Sequence, residues 1–139
     1  HKVAALFIQM PYYGDRRPAG SSRRMISRDP DETVEGMTQA VLDIRRAAAW
    51  LAARPEVDAN QLGVTGISLG GIMSALSGAI EPRFQKVAIY LGGGKLVEMI
   101  FANPDKRVAA ARQEWLKAGG NLENLKKKIS VVLRSQKHA

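Results

Sequence analysis

Asn60-Gln61-Leu62-Gly63-Val64-Thr65-Gly66-Ile67-Ser68-Leu69-Gly70-Gly71 is the stretch that decides the fold. Asn60 to Ile67 is a short β-type run, and the small and apolar residues from Ser68 to about Ala79 read as a buried helix that Pro82 breaks. At the join, Gly66-Ile67-Ser68-Leu69-Gly70 matches G-x-S-x-G, a pattern expected by composition only about 0.05 times in a chain of this length. Its position, where a strand turns into a helix, is what gives the pattern chemical meaning. A serine there sits in strained backbone on a sharp turn, with its hydroxyl carried above the sheet edge. Side chains at Gly66 and Gly70 are expected to clash across the turn, and Gly71 to allow still closer packing. The helix start aims free N–H groups at the site, with the Leu69 N–H placed to hold a developing oxyanion. The plainer reading is a glycine-lined turn with an idle serine.

The flanking sequence supplies the layers. Val3 to Met10 is a continuous apolar run of strand length, and apolar residues without alternation suit a strand covered on both faces. Pro11 to Ser22 is rich in turn formers and reads as a long loop, which in a compact domain is usually functional or mobile. Asp29-Pro30-Asp31-Glu32 is a helix start, with Asp29 as N-cap, Pro30 at the first helical position and Glu32 at capping-box spacing. Val34, Met37, Val41, Ile44, Ala48 and Leu51 then form one apolar stripe, flanked by Trp50, before Pro55 ends the helix. Lys86 to Leu91 is a further strand, ended by Gly92-Gly93-Gly94. Lys95 to Phe101, Asp105 to Ala118 and Asn121 to Lys128 read as helices, and Ile129 to Leu133 is too short to assign. Alternating strands and helices predict an α/β fold, a parallel sheet flanked by helices, whose ligands sit at the carboxyl ends of the strands.

Composition removes whole classes. Apolar residues are 45% and charged residues 24% of the 139, which excludes a disordered or fibrous chain. No apolar run approaches the ~18 residues of a membrane span, and the absence of cysteine excludes disulfides and thiolate metal sites while leaving the compartment open. Net charge is about +1 over residues 1–70 and +7 over 71–139, concentrated at Lys106-Arg107, Lys126-Lys127-Lys128 and Arg134 to Lys137. Such a tail can be an electrostatic footprint for nucleic acid, but no aromatic residues interleave with it, so it reads as a solvated helix face and a loose end. Arg16 and Arg17 either attract an acidic substrate or pair with Asp15, Asp29 or Asp31.

With these motifs in view, the chain resembles a serine hydrolase of the α/β-hydrolase superfamily, nearest to the branch of dienelactone hydrolases, acetyl-xylan esterases and prolyl-oligopeptidase relatives. Val57 to Gly71 is similar to that branch's approach and elbow, and Ala5 to Gly14 to its fourth strand and the loop beyond. The resemblance implies hydrolysis of carboxylic esters through an acyl-enzyme, with Ser68 as nucleophile, Leu69 N–H in the oxyanion hole, and Gly66 and Gly70 as elbow glycines. Tyr12 and Tyr13, in a loop that also follows a strand end, are expected near Ser68 as pocket lining, as core or as lid. The implied partner is a small-molecule ester, with no cofactor, no metal, no nucleic acid and no membrane. The contrasting reading is a non-catalytic hydrolase-like binding domain that keeps the elbow as structure.

The family's triad runs Ser, then Asp or Glu, then His. After Ser68 the histidine is His138, in a tail without strand signal, while His1 precedes the serine and Asp105 reads as part of a helix start. The resemblance therefore implies an incomplete fold lacking N-terminal and C-terminal strands. Residues 1–139 would then be the central portion of one domain, with 120–139 loosely ordered. It also places a strand between Val3–Met10 and 62–67, so either a gap lies beside 62–67 or the first strand slides in to fill it. A serine without its base is a weak nucleophile, so these 139 residues alone should hydrolyse p-nitrophenyl acetate negligibly. Rapid turnover, lost in Ser68→Ala, would contradict that expectation.

Overall fold

The computed structural model describes residues 3–27, 29–93, 104 and 106–127. Its elements are α1 (Pro30–Ala52), β1 (Leu62–Ile67), α2 (Leu69–Ile80), β2 (Phe84–Tyr90) and α3 (Lys106–Lys117). Short 3-10 turns occupy Gly14–Arg16 and Ala59–Gln61, and a last helical stretch covers 122–127. The two strands pair in parallel, Val64 opposite Val87 and Ile67 opposite Tyr90, with α2 as the crossover. The fold is thus a partial α/β architecture, a parallel sheet with helices packed on it. The expected helix over 95–101 and the segment 129–133 lie outside the described residues.

Helix α2 sits between the sheet and α1. Met73, Leu76 and Ile80 of α2 meet Met37, Ala40, Val41 and Ile44 of α1 in one core; of the expected stripe Met37, Val41, Ile44 and Ala48 are buried, Val34 and Leu51 are half-buried, and Ala40 joins them. Burying one such side chain is worth about 1.5–3 kcal/mol, and this double layer is where the fold's stability resides. On the sheet, Val87 lies against Gly78 and Ile89 against Gly71, so both face α2. Strand alternation then turns Lys86, Ala88 and Tyr90 to the opposite, exposed face.

The start of α1 departs from the expected capping box. Asp29 caps as predicted, accepting from Asp31 N–H at 2.8 Å. Glu32, however, accepts from the Ser27 hydroxyl at 2.6 Å, and the Asp29 N–H donates to that same Ser27 oxygen at 3.2 Å. Ser27 is a shorter route to both groups, so it displaces the reciprocal Glu32 bond.

The strand expected at Val3–Met10 is not one. The segment runs without helix or ladder assignment, and β1 has β2 as its sole partner among the described residues. Ile8 and Met10 pack on the core while Phe7 is 94% exposed. An extended chain becomes a strand only when a neighbour takes its N–H and C=O groups, and here none lies alongside. The segment has not slid against 62–67.

The loop from Pro11 onward is anchored. Met25 is fully buried against Gly36 of α1, where an added Cβ would come within 2.8 Å of the Met25 side chain. Arg16 pairs with Asp43 at 2.6 Å and Arg23 with Glu35 at 2.7 Å. Arg17 donates from Nε to the Tyr12 carbonyl at 3.1 Å. The arginines therefore do form local pairs, but with α1 carboxylates and a loop carbonyl instead of Asp15, Asp29 or Asp31.

At the far end of α2, Glu81 forms a clamp. Its side chain is 1% exposed and accepts from Arg83 Nε at 2.7 Å and Arg45 Nε at 3.0 Å, joining α1, α2 and the turn that leads into β2. The Arg83 hydrogen bonds hold the Glu81 carboxyl at about 2 against the cost of burial. A carboxyl lowered in the folded state stabilises fully above its unfolded value, near 4.5, and loses that contribution as pH falls towards 2. Glu81→Gln should lower urea-unfolding stability at pH 7 by roughly 2–4 kcal/mol, because two guanidinium groups lose their buried partner. The variant should also lose part of the wild-type decline in stability between those two pH values. Equal stabilities and slopes would show the clamp to be inert.

Candidate functional site

The site is built by a collision avoided. As β1 ends, Gly66 passes so near the first turn of α2 that an added Cβ would lie 2.3 Å from the carbonyl carbon and oxygen of Gly70. Gly71 is equally constrained from the other side, its added Cβ falling 2.8 Å from the Tyr90 carbonyl and 3.1 Å from that of Gly66. At Gly70 an added Cβ meets nothing within 4 Å. The expectation that side chains at Gly66 and Gly70 would clash is therefore half right. Gly70 contributes its backbone, and the second position that excludes a side chain is Gly71.

The direction change falls on Ser68, whose φ of 53° and ψ of −115° lie in a region that residues with a Cβ rarely enter. Holding a non-glycine residue in such a conformation costs of order 1–3 kcal/mol. The turn is fixed by two bonds: Ser68 N–H donates to the Tyr90 carbonyl at 2.8 Å, and the Ser68 carbonyl accepts from Ile72 N–H at 3.0 Å. Serine at a helix N-cap ordinarily folds its hydroxyl back onto the helix. Ser68 makes no such bond, and the residue is exposed. Leu69 packs its side chain on the core, which anchors its main chain at the first position of α2, where an N–H has no acceptor within the helix.

Of the other residues singled out by sequence, Tyr12 and Tyr13 both pack against the core. Tyr12 donates its hydroxyl to Glu35 at 3.2 Å and carries the Arg23 guanidinium over its ring at 4.1 Å. Burial and the Glu35 bond hold the Tyr12 phenol above its usual range, and Arg23 first, then Tyr12, hold Glu35 below the usual carboxylate range. Tyr12 is thus tied to α1 through Glu35. His1, His138 and Asp105 lie outside the described residues. What sequence reasoning missed is the turn after β2: Leu91 has φ 51°, and an added Cβ at Gly92 would fall 3.0 Å from the Ser68 carbonyl. Among the described residues no group of three or more His, Cys, Asp or Glu side chains is placed to hold a metal, and no helix is long and apolar enough to cross a membrane.

Residues 1–92, which include β1, the turn and β2, match the family described as alpha/beta hydrolase domain containing 18. The chain belongs to this α/β-hydrolase family. The match supports α/β-hydrolase membership without singling out the dienelactone hydrolase branch. Two relatives from Mycobacterium tuberculosis, the uncharacterized protein MT2702 of strain CDC 1551 / Oshkosh and the uncharacterized protein Rv2627c of strain ATCC 25618 / H37Rv, are each 29% identical over 104 residues. The aligned region is 72% of this chain and 25% of each relative, so the chain spans about a quarter of the length of the curated relatives it matches. No solved structure matches it.

The three glycines make separable predictions in this alpha/beta hydrolase domain containing 18 member. Gly66→Ala and Gly71→Ala should each destabilise by roughly 2 kcal/mol or more, since backbone and not a flexible side chain must move. Gly70→Ala should be neutral or stabilise by up to about 1 kcal/mol through helix propensity. Thermal unfolding of the three variants distinguishes a close approach from mere turn preference, because the latter would rank them alike.

Proposed function

We propose that residues 1–139 form the central portion of a serine hydrolase domain that cleaves carboxylic esters through an acyl-enzyme. The observation that carries this reading is Ser68 itself, an exposed residue held at positive φ whose side chain makes no cap bond to the helix it begins. A strained serine without a cap bond, beside an anion-favouring helix start, suits a nucleophile.

In this mechanism Ser68 Oγ attacks the acyl carbon while its proton passes to a histidine base, which the domain's acid orients. The carbonyl oxygen becomes an oxyanion that accepts from Leu69 N–H, a donor already fixed before the charge develops. Collapse expels the alcohol with the proton returned by the base, and water then releases the acid by the same path. The base and its acid partner fall to residues outside those described. A small-molecule ester is the substrate, and the chemistry asks for neither cofactor nor metal. Esterase action is favoured over dienelactone chemistry because serine stands where dienelactone hydrolases carry cysteine.

The test is a fluorophosphonate probe applied to the protein translated from its natural reading frame. Phosphonylation should map to Ser68 and vanish in Ser68→Ala. Ser68→Gly should abolish labelling as well but raise stability by about 1 kcal/mol, because glycine enters the same backbone region without strain. A folded protein that refuses the probe is the non-catalytic, hydrolase-like binding domain.

A further inference from the structure

The chain leaving β2 grips the Ser68 turn at two points. Ser68 N–H donates to the Tyr90 carbonyl at 2.8 Å. Two residues later an added Cβ at Gly92 would lie 3.0 Å from the Ser68 carbonyl oxygen, 3.0 Å from Ile72 N and 3.1 Å from the Gly71 carbonyl carbon. Leu91 makes the bend between the two points, at φ 51°. Gly92 itself does not have positive φ, so a side chain there is excluded by space and not by conformation. All three atoms are main chain, which cannot swing aside as the end of a flexible side chain can.

The same contacts reach the oxyanion donor. The Ser68 carbonyl accepts from Ile72 N–H at 3.0 Å, and Gly92 abuts both atoms of that bond. The Ser68 carbonyl and the Leu69 N–H belong to one planar trans peptide and point in opposite directions. Whatever fixes the carbonyl therefore fixes the direction of the N–H. A Cβ at position 92 that displaced Ser68 O or Ile72 N would disturb the bond that orients this peptide.

We propose that Gly92 is a positioning residue for the Leu69 N–H: it leaves room for the bond between Ser68 and Ile72, and so keeps the donor aimed out of the start of α2. The proposal deepens the reading of Ser68 as nucleophile and rests on it for the oxyanion. Gly92 acts only through the peptide that joins Ser68 to Leu69. An oxyanion donor is worth most in the transition state, so a tilted peptide slows bond formation and leaves the first binding step nearly unchanged.

The experiment uses the protein translated from its natural reading frame, as wild type, Gly92→Ala and Gly78→Ala. Gly78→Ala is the control for lost stability, because its added Cβ would strike the Val87 side chain and none of the turn. Amide hydrogen exchange of the wild type needs no substitution: Ser68 and Ile72 should be protected, as bonded amides are. In Gly92→Ala, Ile72 should exchange about tenfold faster relative to Leu76 in the middle of α2, which is the worth of one backbone hydrogen bond. Gly78→Ala should leave that ratio unchanged. In fluorophosphonate kinetics, Gly92→Ala should lower the maximal rate of Ser68 phosphonylation about 10²-fold at the same half-saturating concentration. Unprotected Ser68 and Ile72 amides in the wild type, an unchanged ratio in Gly92→Ala, or a rate loss that Gly78→Ala reproduces would overturn the proposal. The two readings fail separately. A labelled wild type whose rate survives Gly92→Ala removes only the positioning role, while a wild type that refuses the probe yet shows the Ile72 response removes only the nucleophile.

Discussion

The space between Gly66 and the first turn of α2 is smaller than a methyl group, and the rest of the molecule is arranged around that fact. A strand can run into a helix this abruptly only if one residue absorbs the whole change of direction, and Ser68 does so at positive φ. The same close approach brings β2 into place. With Gly71 lacking a side chain, the Tyr90 carbonyl comes near enough to accept from Ser68 N–H, which ties the turn to the neighbouring strand. Turn, helix start and second strand are therefore one rigid junction, not three elements that happen to meet.

Such a junction stores unfavourable energy, and helix α2 is what opposes its release. Strain at Ser68 of order 1–3 kcal/mol is comparable to the burial of a single core side chain, and α2 buries Met73, Leu76 and Ile80 between the sheet and α1. The helix is then fixed at both ends, by glycine contacts at its start and by Glu81 at its C-cap, bonded to guanidinium groups from α1 and from the turn before β2. Core burial and the Glu81 pairs thus hold the same helix that carries the strained turn.

How much of this was legible in the sequence depends on whether the deciding contact was local. The stripe on α1, the cap at Asp29 and the strand-to-helix join at Ser68 were all readable, since each rests on residues within a few positions of one another. Val3–Met10 has the composition of a strand, yet strandhood is a property of a pair, and nothing within the segment reveals whether a neighbour exists. The glycines show the same limit at finer scale. G-x-S-x-G marks Gly66 and Gly70 alike, but only the path of β2, whose Tyr90 carbonyl crowds Gly71, shows which second position excludes a side chain. Met25, buried from within a loop, and Arg16, paired with Asp43 across 27 residues, carry no sequence signal of their own. Leu91 could have been flagged by its setting, a leucine between a strand and three glycines where a polar turn former would be expected.

The disposition of the long loop bears on how the site is divided. Sequence order put two tyrosines and several arginines after one strand end and the serine after another, which invites a single shared pocket. The charges show what the loop itself is attached to. Glu35 and Asp43 lie eight residues apart on α1, two helical turns, and they take Arg23 with Tyr12 and Arg16 respectively. Each bond draws the loop towards α1, and Met25 completes the attachment from below. The loop is thereby held to the helical layer by pairs that solvent only partly screens, with the Tyr12 hydroxyl among the groups that hold it there. The turn at the serine, by contrast, is held by main chain, through the Ser68 N–H bond to the Tyr90 carbonyl.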